Sequence, residues 1–260
     1  MRHSFRLLPA LVLVLFWQGS VRADEEVALL RPGEALTYRV GWGMIGHAGE
    51  LTFSSKSERI DGADRVRVSA GSKTRGVVRM LYSFDGHAWS LFDAVDGRLL
   101  AAEATTRSSK KNTHASITFD YEEREGDYID HLKPSRSTAV PMPDGTPLDL
   151  ITALIQTRVW NLSPGEFRDV PVLFDDEFYL LRITAERDEV ISTPDGPRRT
   201  TLLVPTMTEN PKGMFKRGGE VRVWVSSDGA RLPLRFEVKV KVGTAYAVLT
   251  DYRPPAVLRK

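Results

Sequence analysis

The chain of 260 residues has no cysteine. Disulfides, cysteine nucleophiles, cysteine-ligated zinc and iron–sulfur clusters are therefore excluded, as is a lipid anchor attached through cysteine. An excess of one charge is also lacking, since 36 basic side chains are set against 34 acidic ones and the formal net charge is +2. A chain so close to neutrality has no general attraction for nucleic acid, and we expect no nucleic-acid partner.

Long hydrophobic runs are scarce as well. The one near the N-terminus, Leu7 to Trp17, is interrupted by Pro9, and it falls short of the roughly 20 residues that span a bilayer. A basic start precedes this run and small residues close it at Ala23, which is the pattern of a secretory signal peptide over residues 1–23. We therefore predict an exported, soluble mature chain, 24–260, without a transmembrane segment.

The signal that dominates the rest of the chain is alternation of apolar and polar residues. Between Leu232 and Val242 every second residue is apolar and those between are mostly charged, which predicts a β-strand with one dry and one wet face. A similar strand precedes it at Val221 to Val225, and another follows at Tyr246 to Tyr252. One wet face is typical of antiparallel sheets, so the C-terminal part is predicted to be a three-strand meander.

The N-terminal half repeats this alternation less cleanly, for example at Leu36 to Val40 and at Ile117 to Tyr121. We predict a mostly β protein, built as a large curved antiparallel sheet or an open β-barrel, because closure removes the sheet edges that invite aggregation. A single β-rich domain over 24–260 is expected. Two β lobes, about 33–135 and 166–252, are the alternative.

One segment has the features of a helix. Thr146 and Pro147 suit the N-cap and the first helical position, and Asp149 completes a pattern close to a capping box. Apolar residues follow at helical spacing until Ser163-Pro164-Gly165 ends them. A helix of about 146–160 is therefore predicted to pack against the sheet. A short helical turn is also expected within Thr74 to Leu81.

Motifs for catalysis are missing. No G-x-S-x-G nucleophile turn and no phosphate loop occur. Asp85 and His87 would share one face of a strand and could act as an acid–base or metal pair, but Gly86 between them favours an exposed turn. We expect neither a cofactor nor a metal, and an enzyme is less favoured than a binding protein. Because polysaccharide-cleaving acids can be distant in sequence, an envelope glycan hydrolase stays open as an alternative.

Four aromatic residues are candidates for ligand binding by stacking or by lining a groove: Trp42, Tyr82, Trp89 and Trp224. The alternative is that they pack in the core and at sheet edges, as large aromatics usually do. Trp224 lies between two inward-facing valines and so shares the wet face with Arg222. It is either covered by a second layer or exposed to a ligand, and cover is favoured.

The segment from Thr208 to Gly219 is a second candidate contact. It combines apolar and basic side chains, which suits an anionic membrane surface or a partner; the residues concerned are Met214, Phe215, Lys216 and Arg217. A plain hairpin loop with Phe215 packed on the sheet is the favoured interpretation, because isolated apolar loop residues are common.

Several local patterns occur in a fixed order along the chain. They are G-E-x-L-x-Y-x-V from Gly33, L-Y-S-F-D from Leu81, P-L-D-L-I-T-A-L-I-Q-T-R from Pro147 and V-W-V-S-S-D-G-A-R-L-P-L-R-F from Val223. In this order they resemble an exported bacterial family known as domain of unknown function 3108. The resemblance implies a β-rich envelope protein of a Gram-negative-type cell, located in the periplasm. It implies no reaction, cofactor or catalytic residue.

The first functional hypothesis is a non-catalytic periplasmic binding or carrier protein. A concave sheet can hold an apolar or amphipathic envelope ligand. The alternative is a structural or scaffolding protein of envelope assembly, whose partner would be an envelope protein. The shape of the interior discriminates between them, since a carrier needs an open cavity and a scaffold does not.

Overall fold

The computed structural model describes residues 30–255 except 208, 210, 212, 216–218, 241 and 242. The predicted signal peptide, 1–23, lies outside these residues. Within the described part of the chain, no helix combines the length and hydrophobicity needed to cross a bilayer.

The described residues form one sheet of fifteen strands. In chain order the first eight are β1 (Ala35–Trp42), β2 (Ile45–Ile60), β3 (Ala63–Thr74), β4 (Phe84–Asp93), β5 (Leu99–Ser108), β6 (Thr113–Asp120), β7 (Glu125–Asp130) and β8 (Thr138–Pro141). The others are β9 (Leu148–Asp149), β10 (Phe167–Phe174), β11 (Glu177–Thr193), β12 (Gly196–Met207), β13 (Glu220–Ser226), β14 (Pro233–Val240) and β15 (Gly243–Arg253).

The first and last strands of the chain lie in the middle of the sheet, and the strands between them in sequence lie on either side. β1 pairs with β15, so the first and last strands are neighbours, and each half of the chain extends from them as a meander to an edge strand, β8 or β9. Neighbouring strands are antiparallel except for β9 and β10, where Leu148 lies opposite Val172 in parallel pairing. The predicted mostly β class is confirmed, with this one parallel pair as a correction.

Alternation decides which face each side chain takes. On β13 and β14, Val223 and Phe236 lie opposite each other and face the interior, whereas Trp224 and Arg235 lie opposite each other on the convex face. The predicted C-terminal meander corresponds to β13, β14 and β15. The interior face is therefore dry because every second residue is apolar.

The two ends of the sheet meet through side chains rather than through a hydrogen-bonded ladder. The rings of Phe119 on β6 and Phe178 on β11 are 6.2 Å apart. Leu173 of β10 packs against the small core around Ile117 and Tyr128. The sheet thus curls into an open barrel, one of the two forms that the sequence predicted.

Among the described residues, two short α-helices accompany the sheet: α1 (Gly76–Leu81) and α2 (Leu150–Gln156). The first confirms the turn expected before Leu81. The second is shorter than the predicted 146–160, because Leu148–Asp149 stays extended in its pairing with β10. Asp149 therefore replaces Thr146 as the cap, and its Oδ1 accepts the N–H of Thr152 at 2.9 Å.

α2 lies inside the curl of the sheet. Ala153 packs into the cluster formed by β10–β13, whereas Ile155 packs into the cluster formed by β1–β4 with β14 and β15. The helix therefore packs against both hydrophobic cores, as does Phe236 of β14.

Charged groups fix the end of this helical segment. Arg158 donates from Nη2 to Oε1 of the fully buried Glu34 at 2.9 Å. Arg231, in the β13–β14 connection, donates from Nε to the carbonyl oxygen of Arg158 at 2.9 Å. Tyr38 donates to the carbonyl oxygen of Pro233 at 2.8 Å. Three of the four sequence motifs thus converge on one structural junction.

Candidate ligand cavity

A row of alanines crosses the concave face of the sheet. Ala70 on β3 lies opposite Ala88 on β4, Ala88 opposite Ala104 on β5, and Ala104 opposite Ala115 on β6. One step along the strands, Ser90 lies opposite Ala102. Side chains this small cannot reach the opposite wall, so the middle of these strands leaves the interior unfilled.

The space left by these small side chains is a cavity of about 620 Å³. Leu150 at the start of α2 and Leu173 and Phe174 of β10 form the wall opposite the alanines. Ala104 is exposed although it lies on a strand with neighbours on both sides. A cavity of this size falls in the range of small-molecule sites.

The cavity opens at one edge of the sheet, called here the mouth edge. Because consecutive strands are antiparallel, every second connection lies at the same edge of the sheet. At the mouth edge these include the connections β1–β2, β3–β4, β5–β6, β7–β8 and β10–β11. Three cations border the cavity there: Lys111, Lys133 and Arg136. Arg136 lies 3.6 Å from a carboxylate oxygen of Asp175. These cations lie beside the carboxylates of Asp130 and Asp175 at the opening, whereas the alanine row that forms the floor is apolar.

The carboxylates in the cavity wall already have structural partners. Asp130 accepts the backbone N–H groups of Leu132 and Lys133 at 3.0 and 2.8 Å, and Asp149 caps α2. Asp175 accepts the hydroxyl of Tyr128 at 3.2 Å. Burial is the main reason why the pKa of Tyr128 rises to about 12, so this hydroxyl remains a donor at neutral pH. These groups hold the fold around the cavity.

The four aromatic candidates do not come together. Trp42, at the end of β1, and Tyr82, directly after α1, are partly exposed at the mouth edge. Tyr82 stacks on Phe84, with ring centroids 6.4 Å apart. Neither ring lines the cavity.

The other two candidates have their rings on the convex face, but Trp89 also borders the cavity, whereas Trp224 does not. Trp89 alternates with the inward-facing Ala88 and Ser90, and the guanidinium of Arg67 covers its ring at 4.1 Å. Trp224 is buried, and its indole nitrogen donates to Oε1 of Glu189 at 2.6 Å. Trp224 is therefore covered rather than exposed, as was favoured, and the side chains that cover it are charged. A ligand role for the four aromatics stays a prediction.

The predicted contact segment is partly described. Phe215 is buried and Met214 is half-buried, both against the cluster that contains Val221 and Val223. The 3₁₀ turn Gly213–Phe215 places them on the sheet, so Phe215 is not available to a membrane surface. Lys216 and Arg217 lie outside the described residues.

Asp85 and His87 lie on β4, where an exposed turn was favoured. Gly86 does not form a turn. It allows β4 to lie close to the side chain of Ser72 on β3, because a Cβ at this position would lie 2.6 Å from Oγ of Ser72. Both carboxylate oxygens of Asp85 accept hydrogen bonds from Arg79, at 3.0 and 2.8 Å. These bonds lower the pKa of Asp85, which makes it unsuited to donate a proton at neutral pH.

A pairing that the sequence did not indicate lies on β5–β7, and three of its residues, Glu103, His114 and Ser116, border the cavity. His114 contacts Oε1 of Glu103 at 2.9 Å, and Oγ of Ser116 lies 2.9 Å from Nε2 of His131. The centroids of the two imidazole rings are 4.2 Å apart, and the rings are tilted by 30° to each other. Glu103 orients His114 rather than His131, so within the described part of the chain no third group of a nucleophile triad is seen beside the pair of Ser116 and His131.

The alanines that line the cavity are not among the predicted ligand-binding residues, of which Trp89 is the one that borders it. The available signal was alternation of small residues, Ala102, Ala104 and Thr106, at positions where a core strand would carry large apolar ones. A strand with small side chains on its inward face predicts unfilled space between that face and the opposite side of the core. Which wall lies opposite is not visible in the sequence.

Fold and cavity together define a β-barrel-like protein with one internal site open to solvent. The family described as protein of unknown function (DUF3108) matches residues 37–250. The chain therefore belongs to this family, in agreement with the motif resemblance. No curated protein matches it.

One solved structure with a similar fold, and two with lower scores, are found. The β-barrel-like protein of domain of unknown function DUF1849 from Brucella abortus aligns with a TM-score of 0.55 at 8% identity, over 86% of this chain and 98% of that one. The hypothetical protein CT021 from Chlamydia trachomatis gives 0.37 at 8% identity, over 91% and 94%. The lipoprotein LppX from Mycobacterium tuberculosis gives 0.25 at 12% identity, over 87% and 90%. The first likeness concerns the fold alone.

Proposed function

We propose that the protein is a non-catalytic periplasmic carrier for an amphipathic molecule with an apolar body and an anionic head. The observation that supports this most is the cavity of about 620 Å³ between the alanine row and the wall of Leu150, Leu173 and Phe174. Periplasmic location rests on the predicted signal peptide. The apolar body would lie inside and the head at the mouth edge.

Apolar character of the ligand follows from the floor. Alanine side chains and the opposing leucines offer no hydrogen bond, so a polar group that lies on them would lose its water without compensation. The hydroxyls that also line the cavity, among them those of Ser90 and Thr106, lie beside this apolar surface. An apolar guest gains about 25 cal/mol for each Å² removed from water. The floor therefore selects an alkyl chain or a ring system.

The basic side chains at the mouth edge indicate that the head group of the ligand is anionic. Lys111 and Lys133 are exposed and border the cavity. Among the described residues neither side chain has an acidic partner. A phosphate or carboxylate at the opening would meet two free ammonium groups beside the guanidinium of Arg136.

Cavity filling tests this proposal. Ala104→Leu adds bulk to the exposed centre of the row and is expected to weaken binding of the neutral probe 1-N-phenylnaphthylamine by at least about tenfold. Ala101→Leu is the matched control, because it adds the same atoms on the convex face of the same strand. Fluorescence titration of both variants and the wild type gives the comparison. Equal affinity in all three would refute a ligand in this cavity.

Charge reversal tests the head group separately. Lys111→Glu is expected to weaken binding of oleate but not of the neutral probe, because only oleate carries a charge to the mouth. If oleate and the neutral probe lose affinity equally, the effect of Lys111 is steric and the anionic head is wrong.

A further inference from the structure

A cluster of apolar side chains lies uncovered at the mouth edge. Met80 and Leu81, at the end of α1, are 86% and 81% exposed. They belong to a set called here the edge patch: Trp42, Met44, Ile45, Val77, Met80, Leu81 and Tyr82. α1 buries none of its residues. Large exposed apolar groups that gather in one place mark an interaction surface.

The two parts of the edge patch are held side by side. Arg75, just before α1, donates its backbone N–H to the carbonyl oxygen of Ala48 on β2 at 2.7 Å. This bond fixes the start of α1 next to the β1–β2 turn. After α1, Ser83 donates its backbone N–H to Oγ of Ser109 at 2.9 Å, which joins the patch to the β5–β6 turn.

Cations surround these apolar groups. The two acids nearby are already paired: Glu50 with Lys73 at 2.9 Å, and Asp85 with Arg79. Lys110 lies 5.9 Å from the ring of Tyr82, and next to it is Lys111. Within the described ranges, neither of these two lysines has an acidic partner. The edge patch therefore carries a local positive charge on a chain whose formal net charge is only +2.

We propose that the edge patch docks on the surface of an anionic phospholipid bilayer. Apolar side chains would enter the boundary between headgroups and acyl chains, while the lysines contact anionic headgroups. Lys111 belongs both to this surface and to the cavity border. Docking would therefore place the opening of the cavity against the membrane. The proposal does not depend on which ligand the cavity binds.

Vesicle co-sedimentation tests it, with the protein purified as the cell processes it and its N-terminus determined by mass spectrometry. The wild type is expected to bind vesicles of phosphatidylethanolamine with phosphatidylglycerol and to bind phosphatidylcholine vesicles about tenfold more weakly or less. The double variant Met80→Ser, Leu81→Ser is expected to lose binding by about tenfold or more. Lys110→Gln should reduce binding to the anionic vesicles alone.

Val95→Ser is the matched control. Val95 is 93% exposed, but it lies in the β4–β5 turn at the opposite edge of the sheet, so it should leave vesicle binding unchanged. Thermal melting shows that each variant is folded. Wild-type protein that ignores both kinds of vesicle would overturn the proposal, as would undiminished binding of the Met80 and Leu81 variant. Recovery of a protein crosslinked through the edge patch, without vesicle binding, would assign the patch to a protein partner instead.

Discussion

Tyr128 on β7 donates its hydroxyl to Oδ1 of Asp175 in the β10–β11 turn, and the two oxygens are 3.2 Å apart. These strands belong to opposite ends of the sheet. The bond therefore joins the ends without a backbone ladder, at the border of the cavity. Arg136 adds an ion pair to the same carboxylate, at 3.6 Å.

Removing this hydroxyl should weaken the closure. Tyr128→Phe keeps the buried ring and leaves Asp175 hydrated, so we expect the free energy of unfolding to fall by about 1 kcal/mol. Urea denaturation measures the difference. Tyr82→Phe is the control, because the described residues give the hydroxyl of Tyr82 no partner, and its effect should stay within about 0.5 kcal/mol. An unchanged Tyr128→Phe variant would show that the bond is immaterial to closure.

Glu34 is a fully buried carboxylate, and its burial requires partners that replace the water it loses. It accepts hydrogen bonds from Arg158 at 2.9 Å and from Tyr252 at 3.0 Å. Glu34→Gln keeps the shape but leaves the guanidinium of Arg158 without its counter-charge, and we expect a loss of about 3 kcal/mol in unfolding free energy. Glu186→Gln, at an exposed pair, should cost less than about 1 kcal/mol. Similar losses in both variants would contradict this view of Glu34.

Asp93 should give a pH-dependent contribution. Its carboxylate accepts the N–H of Val95 at 2.8 Å and also pairs with Arg65, and the first of these bonds is the main cause of a pKa below the usual 3.8. A folded-state pKa below the unfolded one stabilises the fold above the unfolded pKa and loses this effect as pH falls through the folded value.

We therefore expect Asp93→Asn to lower the unfolding free energy by about 1–2 kcal/mol near pH 7, with a smaller gap between variant and wild type near pH 3. Urea titrations at the two pH values measure that gap. A difference that stays constant between them would mean that ionisation of Asp93 does not contribute.

Gly49 should not tolerate a side chain. A Cβ at Gly49 would lie 2.6 Å from the carbonyl oxygen of Lys73, in the backbone of the neighbouring strand. Gly49→Ala must therefore push β2 and β3 apart, and we expect a loss of about 1–3 kcal/mol in unfolding free energy. At Gly46 the nearest atom is 4.0 Å away, so Gly46→Ala should be nearly neutral. Equal melting temperatures for the two variants would rule out the close approach.

Much of the fold was accessible from the sequence, whereas the cavity was not. Alternation in Leu234, Phe236 and Val238 predicts both the strand and the face that turns inward, because the period of two is a property of the extended backbone itself. The helix was located but its start was misplaced. The pairing of Leu148 with Val172 depends on a distant strand, and local capping residues carry no information about it.

The amino-acid sequence by itself determined the strands of the C-terminal meander with their dry and wet faces, several strands of the N-terminal half, and the resemblance to the family to which the chain belongs. Tertiary structure alone decided that Glu34 meets Arg158, that charged side chains cover Trp224, and that the alanines of β3–β6 face a distant wall. The physical reason is that the two kinds of information act over different distances along the chain. The direction of a side chain follows from its neighbours along the backbone, but its partner depends on how fifteen strands curl and where their ends meet.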